Sequence, residues 1–322
     1  MSKRRLTQQQ QRRIRTARAE KHALPDAELG ESRPGTVIAR YGKRALIEGQ
    51  DGERRQCVMR ANLDSLVAGD DVLWRPSADS GVIESRAERR SSLCRPDGRG
   101  QLRPVAANID LMLIVIAPAP EPHGNLIDRY LVAAEVEGIE PVLVLNKADL
   151  LDDDDPATVL AGRYGALGYP VIRTDAVTDP NASQLRPWIA QRTLVLVGQS
   201  GVGKSSLIHR LIPDIDIRIG ALSEAISKGR HTTTAAELYH VPGGGRLIDS
   251  PGIREFHLHH LPDDAVAQGF REFQPLLGRC KYRDCRHDRE QDCALLAAVA
   301  DGTISAERFQ SYRSIVDAPQ LD

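Results

Sequence analysis

The chain has 322 residues, 41% of them hydrophobic and 27% charged. At roughly 150 residues per domain this length predicts about two domains, with three small ones as the alternative. Such a composition excludes wholesale disorder and a fibrous architecture. The longest apolar stretch, around residues 111–119, is far shorter than the roughly 18 residues that span a bilayer, so we expect no membrane segment.

Charge is distributed unevenly along the chain. The net charge is −1, yet residues 1–19 hold seven basic residues and no acid, which leaves 36 basic against 44 acidic residues in the rest. An exposed basic arm neutralises nucleic-acid phosphates, so we expect a flexible tail over residues 1–34, a tail without function being the alternative. This segment has neither the apolar core of a secretory signal nor the Ser-rich makeup of a transit peptide, which predicts a cytoplasmic protein.

Residues 35–90 alternate between apolar and polar positions in short runs that Gly, Asp and Asn separate. Five such runs predict an OB-like β-barrel, and they lie at 36–39, 44–47, 56–59, 71–74 and 81–83. Tyr41 and Trp74 are the barrel's candidates for stacking on bases. Because aromatic residues make up only 4% of the chain, contacts with the shape and backbone of folded RNA are favoured over base readout.

A polar connector over residues 91–104 leads into a segment of different character. Compact apolar runs alternate with helix-length segments such as 127–137 and 205–211, and the runs lie at 111–116, 141–145, 171–174, 193–197 and 246–248. Strands of this kind are buried on both faces, as in a parallel sheet flanked by helices. We therefore predict an α/β domain over residues 105–254.

Beyond residue 254 the strand pattern stops. Residues 263–273, 294–300 and 305–316 have helical patterns, which predicts a helical unit over 255–322. That unit contains three of the chain's five cysteines, which together with one histidine are spaced CxxxxCxHxxxxxC: Cys280, Cys285, His287 and Cys293. Three thiolates and one imidazole are a donor set typical of structural Zn²⁺ and leave no open position for catalysis. Unligated cysteines in a helical hairpin are the alternative.

The run at 193–197 leads directly into a glycine-rich segment of the form GxxxxGK[ST], with a predicted strand before it and a helix after it. This pattern predicts a phosphate-binding loop. Its backbone N–H groups surround the phosphates, Lys204 reaches the β and γ oxygens, and the Ser205 hydroxyl ligates Mg²⁺. The candidate nucleotide-binding residues here are Gly198, Gln199, Ser200, Gly201, Val202, Gly203, Lys204, Ser205 and Ser206.

The sequence Asn146-Lys147-Ala148-Asp149 follows another buried run and has the form NKxD. There Asp149 can accept hydrogen bonds from guanine N1–H and N2–H while Asn146 supports the loop, and adenine offers no such pair of donors. A base without these donors leaves the carboxylate unpaired, which costs free energy and so discriminates strongly against that base. In isolation the same tetrapeptide could be a turn with Asp149 as a helix N-cap; beside the phosphate-binding loop, it favours a guanine nucleotide.

A third motif, DxxG, runs from Asp249 to Gly252. Asp249 can hold Mg²⁺ through water, and the Gly252 N–H can meet the γ-phosphate. Between the phosphate-binding loop and this motif, residues 228–234 are typical of a switch segment, in which Thr233 or Thr234 closes on Mg²⁺ when the γ-phosphate is present.

The residue after Gly252 is Ile253, whose side chain cannot orient the attacking water. His231, which can donate or accept a proton near neutral pH, is the candidate for that task, with Arg230 as a candidate charge stabiliser. We therefore count His231, Lys204 and Asp249 as the candidate catalytic residues. An ordinary polar loop that contacts RNA or solvent is the alternative.

The order of the motifs is NKxD, phosphate-binding loop, DxxG, whereas a Ras-like domain has NKxD last. The chain is thus a circular permutation, which remains compact because domain termini often lie close together. Taken with NKAD, GQSGVGKS, GRHTTT, DSPG and the cysteine cluster, the chain resembles the ribosome-small-subunit-dependent GTPase family of bacteria. The match covers roughly residues 35–295.

This resemblance implies a multidomain protein: an OB-like barrel, a circularly permuted P-loop GTPase domain and a zinc-binding unit. It also implies a GTPase that binds the small ribosomal subunit and its rRNA late in maturation and is stimulated by it. We expect a monomer that uses GTP or GDP, Mg²⁺ and one structural Zn²⁺. Two alternatives stay open at this point, an RNA-bound scaffold whose nucleotide is structural and a kinase of the P-loop class.

Overall fold

The computed structural model describes residues 29–60, 63, 65–97, 101–175, 178–179, 182–215, 236–250 and 261–318. These residues divide after Arg89 into two compact units. Within the described ranges, every helix is too short or too polar to cross a lipid bilayer. The predicted tail, residues 1–34, lies almost entirely outside the described residues.

Five strands of the first unit form a closed barrel. They are β1 (Arg33–Tyr41), β2 (Arg44–Gly49), β3 (Arg54–Met59), β4 (Asp71–Pro76) and β5 (Gly81–Arg86). β1 pairs with β2 and β2 with β3, β3 runs parallel to β5, and β5 pairs with β4. Antiparallel pairing of β4 with β1, from Arg33–Trp74 to Thr36–Asp71, closes the ring. The predicted barrel is confirmed.

Apolar side chains that point inward, mostly from alternate strand positions, fill the interior of the barrel. Inward side chains form one apolar cluster, which includes Val37, Ala45, Ile47, Cys57, Leu66, Val72, Trp74 and Ile83. Trp74 is fully buried there, so it is not available as the stacking candidate named from sequence, which agrees with the preference for contacts with RNA shape and backbone over base readout. An aromatic residue suits both an inward position on a short strand and an exposed surface on which bases stack, so the sequence could not separate these two roles for Trp74.

The segment predicted as a polar connector is instead partly folded. β6 (Ser92–Pro96) and β7 (Leu102–Ala107) form an antiparallel two-stranded ribbon. Buried Leu93, Ala106 and Ala107 anchor it. These two strands have only five and six residues, and their register is irregular at Leu93 and Cys94. The alternation of apolar and polar residues is therefore too short to be recognised from sequence.

The second unit is built on a mostly parallel sheet with helices on its connections. Its elements are β8 (Leu111–Ile116), α1 (Gly124–Val136), β9 (Glu140–Asn146), α2 (Pro156–Ala166), β10 (Val171–Thr174), α3 (Arg186–Ile189), β11 (Thr193–Val197), α4 (Lys204–Leu211), β12 (Glu237–His240) and β13 (Arg246–Asp249). The strand order is β10-β9-β8-β11-β13-β12. All neighbours are parallel except β12, which runs antiparallel to β13.

Every residue of β8 and β11 is buried, as the unbroken apolar runs predicted. Because β9, β8, β11 and β13 are parallel neighbours, their carboxyl ends lie at one edge of the sheet, where ligands of α/β proteins bind. The permuted order of the motifs therefore does not separate them in space. The predicted α/β domain is confirmed.

Three helices follow in the C-terminal segment, α5 (Asp263–Gln268), α6 (Ala294–Ala300) and α7 (Ala306–Val316). The first is shorter than the predicted 263–273, because the chain turns at Gly269 and directs Phe270 and Phe273 into a core with Tyr312. Val132 and Ala133 of α1 belong to the same cluster. The helical segment thus packs on α1 within one unit; the proposed boundary at residue 254 lies outside the described residues.

Candidate nucleotide site and metal centre

The glycine-rich loop connects the end of β11 to the start of α4. Gly198, Gly201 and Gly203 have φ values of +134°, +87° and +98°, which favour glycine. A Cβ on Gly198 would overlap the Val115 carbonyl, and one on Gly203 would overlap the Asn146 side-chain amide. Close packing against β8 and β9 therefore requires glycine at both positions.

Lys204, the first residue of α4, is 8% exposed. Its ammonium donates a hydrogen bond of 2.6 Å to the Gly198 carbonyl and another to the Gln199 carbonyl. The positive charge is thereby held over the loop, at the N-terminus of a helix whose dipole also favours an anion. Ser205 and Ser206 lie exposed beside it, as does Ser200.

The NKxD segment is bonded directly to the glycine-rich loop. Buried Asn146 donates from its amide to the Val202 carbonyl at 2.8 Å, and its oxygen accepts a hydrogen bond of 3.0 Å from Thr174. The Lys147 ammonium donates to the carbonyl of Gly201 at 2.9 Å and to that of Ala119 at 2.7 Å. Two residues of this motif therefore fix the path of the loop, more than 50 residues further along the chain.

Asp149 lies in a 3₁₀ turn, Ala148–Leu150, at the carboxyl end of β9, with its side chain exposed. Lys147, just before this turn, has a left-handed backbone with φ +60°. Its side chain points to the loop while the chain carries Asp149 away from it. Asn146 and Lys147 thus hold the loop, and Asp149 is left accessible.

Asp249 ends β13 and lies half-buried at the same sheet edge, beside buried Ser250. The remaining predicted residues of the nucleotide site, His231, Thr233, Thr234 and Gly252, lie outside the described residues. The structure thus brings together the glycine-rich loop, NKxD and the beginning of DxxG.

Thr174 is a contacting residue that was not predicted from sequence. At the end of β10, its hydroxyl donates to the side-chain oxygen of Asn146 at 3.0 Å and so orients that amide. A threonine at the end of a short strand carries no sequence signal for a partner 28 residues earlier in the chain.

The four predicted metal ligands converge. All four ligand atoms of Cys280, Cys285, His287 and Cys293 lie within 4.8 Å of one another. His287 Nδ1 is 3.4–3.5 Å from each of the three sulfurs, and the sulfurs of Cys280 and Cys293 are 3.9 Å apart. Ligands at ~2.0–2.3 Å from a tetrahedral Zn²⁺ are about 3.3–3.8 Å from one another, so this cluster fits that ion.

The protonation chemistry of the cluster agrees with a metal site. Burial raises the pKa of the Cys285 thiol to about 12, so a bound cation is needed to stabilise its thiolate. Burial also lowers the pKa of His287, which favours the neutral imidazole that ligates metals.

Glu290 organises the loop that carries these ligands. Its carboxylate accepts hydrogen bonds from the backbone N–H groups of Arg286 and Asp288, both at 2.8 Å, and of Arg289 at 3.1 Å. These bonds lower the pKa of Glu290 to about 2. The spacing of the motif did not indicate Glu290, because Glu290 is not one of the four ligands and binds the backbone between them.

We expect Glu290→Gln to weaken Zn²⁺ binding by roughly 10-fold, the lower end of the effect of residues that orient metal ligands. The amide N–H₂ of glutamine cannot accept the backbone N–H that one carboxylate oxygen accepts. Release of zinc to a chromogenic chelator measures the effect. Exposed Asp284 supplies the control, Asp284→Asn; equal release from both variants would remove this role from Glu290.

Comparisons with known proteins place this architecture in a family. The sequence model described as RsgA GTPase matches residues 86–259. Relatives named small ribosomal subunit biogenesis GTPase RsgA are 52% identical in Ectopseudomonas mendocina and 54% identical in Chromohalobacter salexigens, each alignment covering 98% of both chains.

Two solved structures share the fold. YjeQ from Thermotoga maritima superimposes with a TM-score of 0.73 at 29% identity, over 89% of this chain and 98% of that one. YloQ, described as a circularly permuted GTPase, gives 0.70 at 26% identity, over 91% and 96%. The resemblance inferred from the motifs is confirmed: the chain belongs to the RsgA GTPase family and is a circularly permuted GTPase.

Proposed function

We propose that this protein is a GTP-hydrolysing switch that binds the small ribosomal subunit, assists its late maturation and is stimulated by it. The observation that carries the nucleotide part is the bonding of Asn146 and Lys147 to Val202 and Gly201. It makes the base-reading segment and the phosphate-binding loop one preorganised site. The small subunit is proposed because relatives that align over 98% of the chain are named small ribosomal subunit biogenesis GTPases.

In this proposal the loop from Gly198 to Ser206 binds the phosphates through its backbone N–H groups. Lys204 exchanges its two carbonyl partners for β and γ oxygens as charge develops on them, which is the electrostatic stabilisation that phosphoryl transfer needs. Ser205 and Asp249 would hold Mg²⁺, which neutralises phosphate charge when bound. Asp149 reads guanine from the opposite end of the site.

The switch residues complete the proposal. Thr233 or Thr234 senses the γ-phosphate together with the Gly252 N–H, and His231 orients the attacking water. Cys280, Cys285, His287 and Cys293 would hold one Zn²⁺ whose role is structural, since four protein ligands leave no position for substrate. We further propose a cytoplasmic monomer that contacts rRNA.

Phosphate release from GTP and ATP, with and without purified small subunits, tests the function. We expect slow hydrolysis of GTP alone, acceleration by small subunits and no comparable turnover of ATP. Tight guanine nucleotide binding without turnover under any of these conditions would instead support an RNA-bound scaffold with a structural nucleotide.

Removal of residues 1–19 is expected to weaken binding to the small subunit, to flatten its salt dependence and to leave intrinsic hydrolysis unchanged. Each rRNA phosphate that the tail no longer neutralises lowers the slope of log affinity against log salt by ~0.7–0.9. Sedimentation binding at several salt concentrations measures the slope. A full-length variant with its seven basic tail residues changed to Gln separates charge from length; an unchanged slope in both variants would leave the tail without this function.

A further inference from the structure

A cleft of about 890 Å³ lies between helices α1, α2 and α7 of the second unit. We propose that this cleft binds a basic polypeptide segment of a protein component of the small ribosomal subunit. The inference rests on the proposed function, since that function brings the chain to an assembly of RNA and protein. It adds a protein-binding surface to the rRNA contacts proposed above.

One wall of the cleft consists of apolar side chains. They come from α2, from its C-terminal turn and from the segment before α1, and they include Pro122, Pro156, Val159, Leu160 and Leu167. Val159 is 44% exposed. The volume lies within the ~300–1,000 Å³ range of ligand sites, so the cleft has room for several side chains of a partner that would cover this wall.

The floor of the cleft is a buried ionic network. Arg308 of α7 donates to Glu272 from Nε at 2.6 Å and from Nη2 at 3.0 Å, and it also donates to Asp128 of α1. The side chains of Asp128, Glu272 and Arg308 are 3%, 9% and 10% exposed. Two carboxylates thus share one guanidinium, so the floor has no spare positive charge with which to neutralise the rim.

The rim of the cleft has an excess of exposed carboxylates. Glu121, Asp154 and Glu307 line it, and Arg163 is the exposed basic residue among the described lining residues. Within the described part of the chain, none of the three carboxylates forms an ion pair. An acidic rim beside an apolar wall is complementary to a segment rich in Lys and Arg, because these side chains place aliphatic stems on apolar surface and keep their charge at its edge.

This chemistry favours a protein partner over RNA. The carboxylates of the rim repel phosphates, and among the described lining residues the aromatic one, Tyr164, is buried and unavailable for base stacking. Proteins that bind rRNA are rich in basic residues, because they neutralise its phosphates. A basic segment that projects from such a protein is therefore attracted to this cleft.

A positive charge placed on the apolar wall tests the proposal. Val159→Lys changes an exposed helical position of the cleft, and we expect it to weaken binding to purified small subunits about 10-fold, the effect of losing one central interface contact. Binding to protein-free rRNA from the same subunits should stay within about 2-fold, since the proposed partner is absent from it. Sedimentation binding of the full chain with bound zinc measures both affinities.

The matched control is Gly162→Lys, which adds the same charge to the same helix outside the cleft lining. A Cβ on Gly162 meets no atom within 4 Å, so the fold accepts this substitution, and binding to small subunits should not weaken. Glu307→Gln removes one rim carboxylate without adding bulk and is expected to weaken binding about 3-fold, the effect of one exposed ion pair. If Val159→Lys does not fold, as its thermal midpoint and GDP affinity would show, Glu307→Gln carries the test.

Unchanged binding of small subunits by Val159→Lys and Glu307→Gln would overturn the proposed partner. So would a change in affinity for protein-free rRNA as large as that for small subunits, which would assign RNA to the cleft. A gain in rRNA affinity in Val159→Lys that disappears on removal of residues 1–19 would overturn it in favour of the chain's own basic tail.

Failure of the unmutated protein to bind small subunits would instead overturn the proposed function. The failure of the cleft and the failure of the function are therefore distinguishable in the same experiment.

Discussion

Asp149→Asn is expected to lower affinity for GTP about 100-fold, because it replaces a charged acceptor whose hydrogen bonds contribute ~1.5–3 kcal/mol each. Xanthosine triphosphate carries an oxygen where guanine has the N2 amino group, and the asparagine amide can donate to it. Affinity for xanthosine triphosphate should therefore be retained or improved. Competition against a fluorescent guanine nucleotide measures both affinities.

The exposure of Asp149 makes this substitution clean, since Asn146 and Lys147, not Asp149, hold the phosphate-binding loop. Asp153→Asn, in the same exposed segment, is the matched control for loss of one negative charge. Equal loss of both nucleotides in the Asp149 variant would contradict base reading and indicate a role in the loop itself.

The second large effect concerns hydrolysis. His231→Ala is expected to reduce the subunit-stimulated rate by at least ~100-fold, within the range of positioned acid–base groups. GTP affinity should stay within a few-fold of the unmutated value, because the glycine-rich loop and NKxD carry binding and a water-orienting group acts on the transition state. Single-turnover phosphate release with saturating small subunits measures the rate.

Two further variants sharpen this test. His231→Gln keeps a hydrogen-bonding side chain without its ionisation, so partial retention of the rate would indicate orientation of the water and not proton transfer. Arg230→Ala tests a third role, stabilisation of transition-state charge, separately from orientation of the water and from proton transfer. Retained stimulation in His231→Ala with intact subunit binding would exclude His231 and direct the search to a residue supplied by the subunit.

Local patterns allowed much of the fold to be predicted. The runs at 111–116 and 193–197 became strands because a strand buried on both faces must be apolar at every position, and such a run is readable without its neighbours. The closed barrel was also predictable, because alternation of apolar and polar residues indicates which face of each strand points inward.

The chemical motifs were equally local. A phosphate-binding loop, an NKxD turn and a CxxxxCxHxxxxxC segment each confine their chemistry to fewer than 15 residues. Short spacing alone brings their groups together, so Lys204, Asp149 and Cys285 could be selected without knowing the sheet order. Glu290 escaped notice because its partners are backbone N–H groups, which every residue but proline offers.

What only the tertiary structure decided are the contacts between segments distant in sequence. The bonds from Asn146 to Val202 and from Lys147 to Gly201 require β9, β8 and β11 to be parallel neighbours. The ion pair of Asp128 with Arg308 joins residues 180 positions apart. Likewise, Trp74 is interior because β4 closes the barrel on β1.

Periodicity determines which face of an element is buried, but it carries no information about which other element covers that face. The chain by itself therefore allowed most of the strands, the family's GTPase chemistry and the cysteine–histidine cluster to be predicted. Tertiary packing decided that the NKxD segment holds the glycine-rich loop and that α1 packs against the segment with the cysteine cluster. Such contacts arise from packing and not from the spacing of residues.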